Sequence, residues 1–261
     1  MTVAEAASAT AGRLLYHVIV KGALFLAAIL AGGAMAQAPD PRLPVSTLVR
    51  EDIFAGYLEN DTGRLDKGEQ TLRLLLEQRP AAKGEIRAWQ GGAALYRAVR
   101  AYEHHNAGEF KRNFTSAQDW FSEAARLAPD SLSVASTTGV AQVMFADRLP
   151  RTERPAAWAK AYDAFQFLWS RQAGEIGTLP THLKGELLAG LAQSAYSTGR
   201  IREVEGYLDR MIQLLPHTPY IPQAQEWKRN LAVPPKRGIV CRTCHEPGTL
   251  SLRLFTLGKQ P

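Results

Sequence analysis

Apolar residues recur at intervals of three and four from about residue 45 to residue 231, and strand-like alternation is scarce. These intervals place side chains on one face of an α-helix, whereas a half-buried strand needs a period of two. Proline follows several of the apolar stretches, as at Pro80, Pro129 and Pro216, where it stops a helix. The pattern predicts an all-α fold.

Nine helices are predicted in this stretch, each marked by apolar residues on one face. The markers fall at residues 53–58, 72–76, 89–102, 114–124, 132–146, 158–169, 181–198, 201–214 and 221–231. The helices are expected to form pairs, and the irregular spacing of the terminal prolines indicates inserted loops. The last helix is expected to cap the stack.

The pair of helices before that cap carries the clearest repeat pattern. Its residues are Leu188, Leu191, Ala192, Tyr196, Gly199, Val204, Leu208, Met211 and Pro216. The pattern resembles the tetratricopeptide repeat, and looser matches at residues 56–80 and 117–129 extend the resemblance over about 180 residues. The resemblance implies that Ala192 lets the two helices approach closely, that Gly199 turns between them, and that Pro216 ends the second helix.

The resemblance also implies a fold and a type of partner. About four helical hairpins would stack into a solenoid over residues 47–232, and such surfaces in tetratricopeptide proteins usually bind another protein. The formal net charge is +6, and basic residues do not cluster in a long run. Nucleic-acid binding is therefore not expected.

The N-terminus has the features of a targeting segment. Arg13 and Lys21 precede an apolar run over residues 22–34, which leads into Ala-Met-Ala. This arrangement resembles a secretory signal peptide spanning residues 1–36, followed by a linker over residues 37–46. The apolar core is shorter than the roughly 20 residues of a membrane span, so cleavage is favoured over retention as an N-terminal anchor. Export to the periplasm or beyond is expected for a bacterial source.

Both cysteines of the chain fall in one short motif, where Cys241 and Cys244 are followed directly by His245. The Cys-x-x-Cys-His spacing resembles the haem-attachment site of c-type cytochromes. The resemblance implies one haem c, held by thioether bonds from Cys241 and Cys244, with His245 as the proximal axial ligand of the iron. The spacing suits this task because residues three apart face the same side of a helical turn.

Three other roles are open to these side chains. A structural zinc site needs four ligands, and the motif offers three. A thioredoxin-like dithiol needs a βαβ setting, which the surrounding sequence lacks. A simple structural disulfide is the third alternative. The export signal favours haem, because c-type haem is attached outside the cytoplasm.

The segment that carries the motif, residues 233–261, is short, and only 16 residues follow His245. This segment cannot wrap a haem as an independent cytochrome domain does. The haem is therefore expected to pack on the helical body, to pack on a partner, or to remain exposed. The second axial ligand is open, and the upstream candidates are His104, His105, His182, His217, Met144 and Met211.

Several of these candidates have a more ordinary role. Core packing is favoured for Met144 and Met211, and a position in a turn or helix cap is favoured for His217. His104 and His105, at the end of a predicted helix, are the best intramolecular candidates. A ligand from another chain and an open, five-coordinate iron are equal alternatives.

The sequence as a whole predicts an exported mono-haem protein that transfers electrons. Its helical repeat surface would dock a partner protein, for example in a redox or membrane complex. Two alternatives stay open: a non-redox scaffold for assembly of such a complex, and a haem sensor or enzyme with an open iron site. No catalytic residue is predicted, because carboxylates are scattered and no nucleophile or phosphate-binding motif occurs. An electron carrier or binding protein is favoured over an enzyme.

Overall fold

A computed structural model describes residues 43–235 and 238–240 of the protein. Within these residues there are nine α-helices and no strand, so the all-α prediction is confirmed there. The helices are α1 (Val45–Glu59), α2 (Thr62–Gln78), α3 (Lys83–Glu103), α4 (Ala107–Leu127), α5 (Leu132–Phe145), α6 (Arg154–Gln172), α7 (Thr181–Ser197), α8 (Ile201–Leu214) and α9 (Tyr220–Arg229). The predicted signal segment, residues 1–36, lies outside the described residues.

Side-chain caps begin several of these helices. Asp61, Asn106 and Ser131 precede α2, α4 and α5, and each side chain accepts a hydrogen bond from the backbone N–H three residues later, at 3.0 to 3.2 Å. Asn106 also donates to Glu109 at 3.0 Å. The first N–H groups of a helix have no intrahelical partner, so these side chains define where each helix starts.

Consecutive helices pack as pairs, and the pairs stack. The main contacts join α1 with α2, α3 with α4, α5 with α6, and α7 with α8, while α9 packs on α8. The first helix of each pair also contacts the first helix of the next pair. Nearly all buried apolar side chains therefore form one core that continues from Val45 to Val240.

The predictions for Gly199, Met211 and Pro216 are confirmed in the pair formed by α7 and α8. Gly199 adopts a positive φ of 78° in the turn between the two helices, a conformation in which a Cβ is strained. Ala192 on α7 and Met211 on α8 are both fully buried. Pro216 follows the end of α8 at Leu214. None of the helices in the described part of the chain is both long and apolar enough to span a membrane.

Helices α6 and α7 approach each other closely at Gly190. A Cβ built on Gly190 would lie 2.2 Å from the ring of Phe165, which is itself almost fully buried. An aromatic ring enclosed in a close-packed core cannot move aside without displacing its neighbours. The contact between the third and fourth pairs therefore depends on the missing side chain at this position.

We predict that Gly190→Ala lowers the free energy of unfolding by about 1–3 kcal/mol, because one added methyl group overpacks the α6–α7 contact. Gly174→Ala is the matched control, since a Cβ there meets no atom within 4 Å. Urea denaturation of both variants measures the difference. Equal midpoints for the two variants would contradict the described packing.

Candidate functional site

The residues just before the cysteine motif are fixed against helix α7. The side-chain Oε1 of Gln193 accepts hydrogen bonds from the backbone N–H groups of Ile239, at 2.6 Å, and Val240, at 2.7 Å. Both apolar side chains are buried. Cys241, Cys244 and His245 themselves lie outside the described residues. The chain is thus anchored on the helical body up to the residue that precedes Cys241.

A glycine makes this anchorage possible. Gly238 has a φ of 70°, and its N–H donates to the carbonyl oxygen of Pro235 at 2.9 Å. A Cβ at Gly238 would lie 2.6 Å from Nε2 of Gln193. Both the positive φ and the close approach to Gln193 therefore require a residue without a side chain.

The connection from α9 to this glycine is also held on α7. The hydroxyl group of Tyr196 donates to the carbonyl oxygen of Ala232 at 2.8 Å, and the indole N–H of Trp227 donates to that of Leu231 at 3.4 Å. The rings of Tyr196 and Trp227 meet edge to face with centroids 5.6 Å apart. These contacts turn the chain back towards Gln193.

A cavity of about 310 Å³ lies between this returning segment and the helices. Its walls come from α5, α6, α7, α9 and the segment after α9. The lining residues are Val143, Met144, Asp147, Arg148, Trp158, Gln193, Tyr196, Ser197, Trp227, Pro234, Pro235, Gly238 and Val240. The lining is of mixed character, with aromatic rings from three residues beside several polar and charged side chains.

Two polar side chains of the cavity are held by partners. The carboxylate of Asp147 accepts a hydrogen bond from the indole N–H of Trp158 at 2.9 Å. Arg148 donates two hydrogen bonds to Glu103, at 2.8 and 3.0 Å. These bonds lower the pKa of the Glu103 carboxyl group below its usual value, so the pair is ionised at neutral pH. Arg148 and Glu103 thus form an ion pair in which the two charges offset each other.

The cavity fits one part of a haem better than a whole one. Its volume lies at the lower end of the range of about 300–1,000 Å³ that is usual for ligand sites. Aromatic side chains suit a porphyrin face, whereas Arg148 is already paired with Glu103 and Asp147 adds a carboxylate. Met144 contributes a thioether sulfur, which is a known type of haem ligand. The residues present are therefore compatible with a haem that is partly covered.

The candidate axial ligands fall in different places. Met211 is fully buried and Met144 is partly buried and packed against the same core, which confirms core packing for both, and Met144 also lines the cavity. His104 and His105 are exposed at the end of α3, and neither lines this cavity.

The two remaining histidines also lie away from the cavity beside Val240. His217 is exposed, with a φ of 62° in the turn after α8, which confirms a turn position. His182 is exposed and lines a second cavity. Within residues 43–235 and 238–240, no group of three or more His, Cys, Asp or Glu side chains is arranged to hold a metal ion.

The second cavity is larger, at about 410 Å³, and lies among α1, α3, α5, α6 and α7. Its walls include the rings of Phe54, Tyr57, Trp89 and Phe165, and hydroxyl groups of Ser133 and Thr137 are at its edge. Most of its lining residues belong to α1, α3, α5 and α7, which are the first helices of the four pairs. Its apolar walls suit the side chains of a bound peptide or another apolar group.

Sequence reasoning missed Gln193 and Gly238 as parts of the site. A glutamine on an amphipathic helix carries no sequence signal for a partner that lies 47 residues further along the chain. Gly238, directly before Ile239, Val240 and the first cysteine, did offer a signal for a turn.

Comparisons of the chain with protein-family models, curated proteins and solved structures give no significant match. The function proposed below therefore depends on the residues of this chain.

We predict that Gln193→Leu releases the segment that precedes the motif, because two buried N–H groups lose their acceptor, at a cost of about 1–3 kcal/mol each. Amide hydrogen exchange at Ile239 and Val240 would accelerate at least tenfold. Gln193→Glu is the matched control, since a carboxylate oxygen still accepts both hydrogen bonds. Unchanged exchange in the leucine variant would show that Gln193 does not hold the segment.

Proposed function

We propose that the protein is an exported helical scaffold that carries one covalently attached haem c and exchanges single electrons with a protein partner. Cys241 and Cys244 form the thioether bonds in this proposal, and His245 is the axial ligand. The haem supplies one-electron chemistry when it is bound. The helical body, which holds the residues directly before the motif, is proposed to cover part of the haem.

The observation that carries the proposal is the anchorage of Val240 by Gln193 at the wall of the aromatic cavity. His245 follows Val240 by five residues, which span at most about 18 Å even when fully extended. An attachment motif tethered so closely supports haem binding at this cavity rather than at a distant surface.

The side chains of the cavity would then set the properties of the iron. Trp158 and Trp227 are almost fully buried and would exclude water from one part of the porphyrin. Charges of both signs lie near the same site, because Asp147 is a carboxylate and Arg148 is paired with Glu103. The balance of these charges would therefore contribute to the reduction potential of the iron.

The helical body is proposed to dock the partner. The stacked pairs of helices and the repeat pattern around Ala192 and Gly199 support a solenoid of the tetratricopeptide type. Solenoids of this kind present extended surfaces for other proteins. Export, as indicated by the signal-like residues 1–36, would place this partner in the periplasm or in a membrane complex.

We predict that the mature protein, produced in a bacterium that assembles c-type cytochromes, retains haem on a denaturing gel. Replacing both Cys241 and Cys244 by Ala should abolish the haem stain of the band, because no thioether bond remains. Thr243→Ala is the matched control, since it changes the motif but leaves both sulfurs and the histidine, and it should stain fully. An unstained wild-type band would contradict the proposal.

One observation favours a second candidate function, a scaffold without redox activity. The larger cavity beside Phe54, Trp89 and Phe165 offers an apolar site at some distance along α7 from Gln193. Binding of a partner at this cavity would not require a haem. Under this alternative the wild-type protein is colourless, and the same gel separates the two functions.

A further inference from the structure

The larger cavity, of about 410 Å³, is apolar in its buried part. Phe54, Tyr57 and Phe165 line it, and each of these aromatic residues is at most 8% exposed. Ala141 and Leu187 add buried aliphatic surface. A concave and mainly apolar site of this size is usual for a small organic ligand, so the body of a ligand bound here is expected to be apolar.

Three helix N-termini meet at this cavity. The first turns of α1, α5 and α7 contribute Ser46, Leu132 and His182 to its lining. None of these first turns carries an acidic residue, and the prolines that precede α1 and α7, Pro44 and Pro180, form no side-chain cap. The N–H groups at a helix N-terminus and the helix dipole attract an anion. One end of the cavity therefore favours negative charge.

The exposed charge of the lining is also positive. The Arg50 side chain is 51% exposed, and its guanidinium pairs at 3.2 Å with Glu51, which does not line the cavity. An exposed pair of this kind contributes little to stability, so the guanidinium is available to a carboxylate of a ligand. The carboxylate of the lining, Glu186, is buried and accepts a hydrogen bond from the hydroxyl group of Tyr220 at 2.9 Å.

A buried hydrogen-bond donor at the same cavity lacks an acceptor. Trp89 lines the cavity and is 6% exposed, and its ring packs edge to face on Phe54 with centroids 6.2 Å apart. Its indole Nε1–H has no hydrogen-bond partner in the part of the chain that the structure describes. Buried polar groups are almost always hydrogen-bonded. This N–H therefore indicates a ligand that brings an acceptor atom, which is an observation separate from the helix N-termini.

We propose that this cavity binds a monocarboxylic acid with an unbranched apolar chain. The chain contacts the buried aromatic side chains, Arg50 and the helix N-termini bind the carboxylate, and Trp89 donates to one of its oxygens. At roughly 30 Å³ for each water-sized group, the cavity holds about 13 such groups, which corresponds to an acid of about 10–12 carbons. The site includes no residue of the cysteine motif, so the proposal does not depend on the haem.

The test is calorimetric titration of the full mature protein with sodium decanoate. One molecule should bind per chain, about tenfold or more tightly than 1-decanol, which has the same chain length without the charge. Acetate, which has the charge without the chain, should not bind measurably. A third probe, a short apolar peptide with a free C-terminal carboxylate, distinguishes a small acid from a protein partner.

Arg50→Gln should weaken the binding of decanoate about tenfold or more and leave that of 1-decanol unchanged, because only the acid has a charge to lose. Arg202→Gln is the matched control, since Arg202 is exposed on α8 and does not line the cavity. Trp89→Phe, which keeps an aromatic ring but removes the N–H donor, should also weaken the binding of decanoate.

The proposal is overturned if decanoate does not bind, or if 1-decanol binds as tightly as decanoate. Decanoate binding that Arg50→Gln leaves unchanged would also overturn it, and this exposed substitution keeps the test decisive should Trp89→Phe fail to fold. Binding of the peptide without binding of decanoate would assign the cavity to a protein partner instead. The haem stain of the denaturing gel is a separate measurement, so failure here leaves the proposed function in place.

Discussion

The candidate site depends on one side-chain oxygen. Oε1 of Gln193 accepts the N–H groups of Ile239 and Val240, and the second of these is 47 residues away in sequence. An unsatisfied buried amide costs about 1–3 kcal/mol, so this acceptor strongly favours one path for the chain after α9. Because of this contact, Val240, the residue directly before the cysteine motif, is held at a cavity of the helical body.

The helices were predictable because their signals are local. Apolar spacing and flanking prolines located all nine, and the predicted range 201–214 coincides with α8. Helix starts were less accurate: α1 begins at Val45, although its clearest apolar markers lie at residues 53–58. The pairing of neighbours was expected from the repeat pattern and is seen in the described residues. The turn at Gly199 was predictable for the same reason, since only a glycine fits its positive φ without strain.

The site was less predictable because its contacts are not local. Gln193 has no sequence feature that sets it apart from other polar helix residues, and only its contact with residues 239–240 gives it a role at the cavity. His104 and His105 were preferred as ligands from their position at a helix end, yet they lie exposed and away from that cavity. Which of the candidate side chains lies near the site depends on tertiary packing, and a local sequence pattern does not encode that packing.

Export and haem attachment are the central claims, and one measurement addresses both. The intact mass of the protein from the periplasmic fraction, taken under denaturing conditions that remove unbound haem, reports its covalent state. The account predicts a single species that lacks residues 1–36 and carries the mass of one haem. A polypeptide mass without any added cofactor, in cells that load haem onto other c-type proteins, would contradict it.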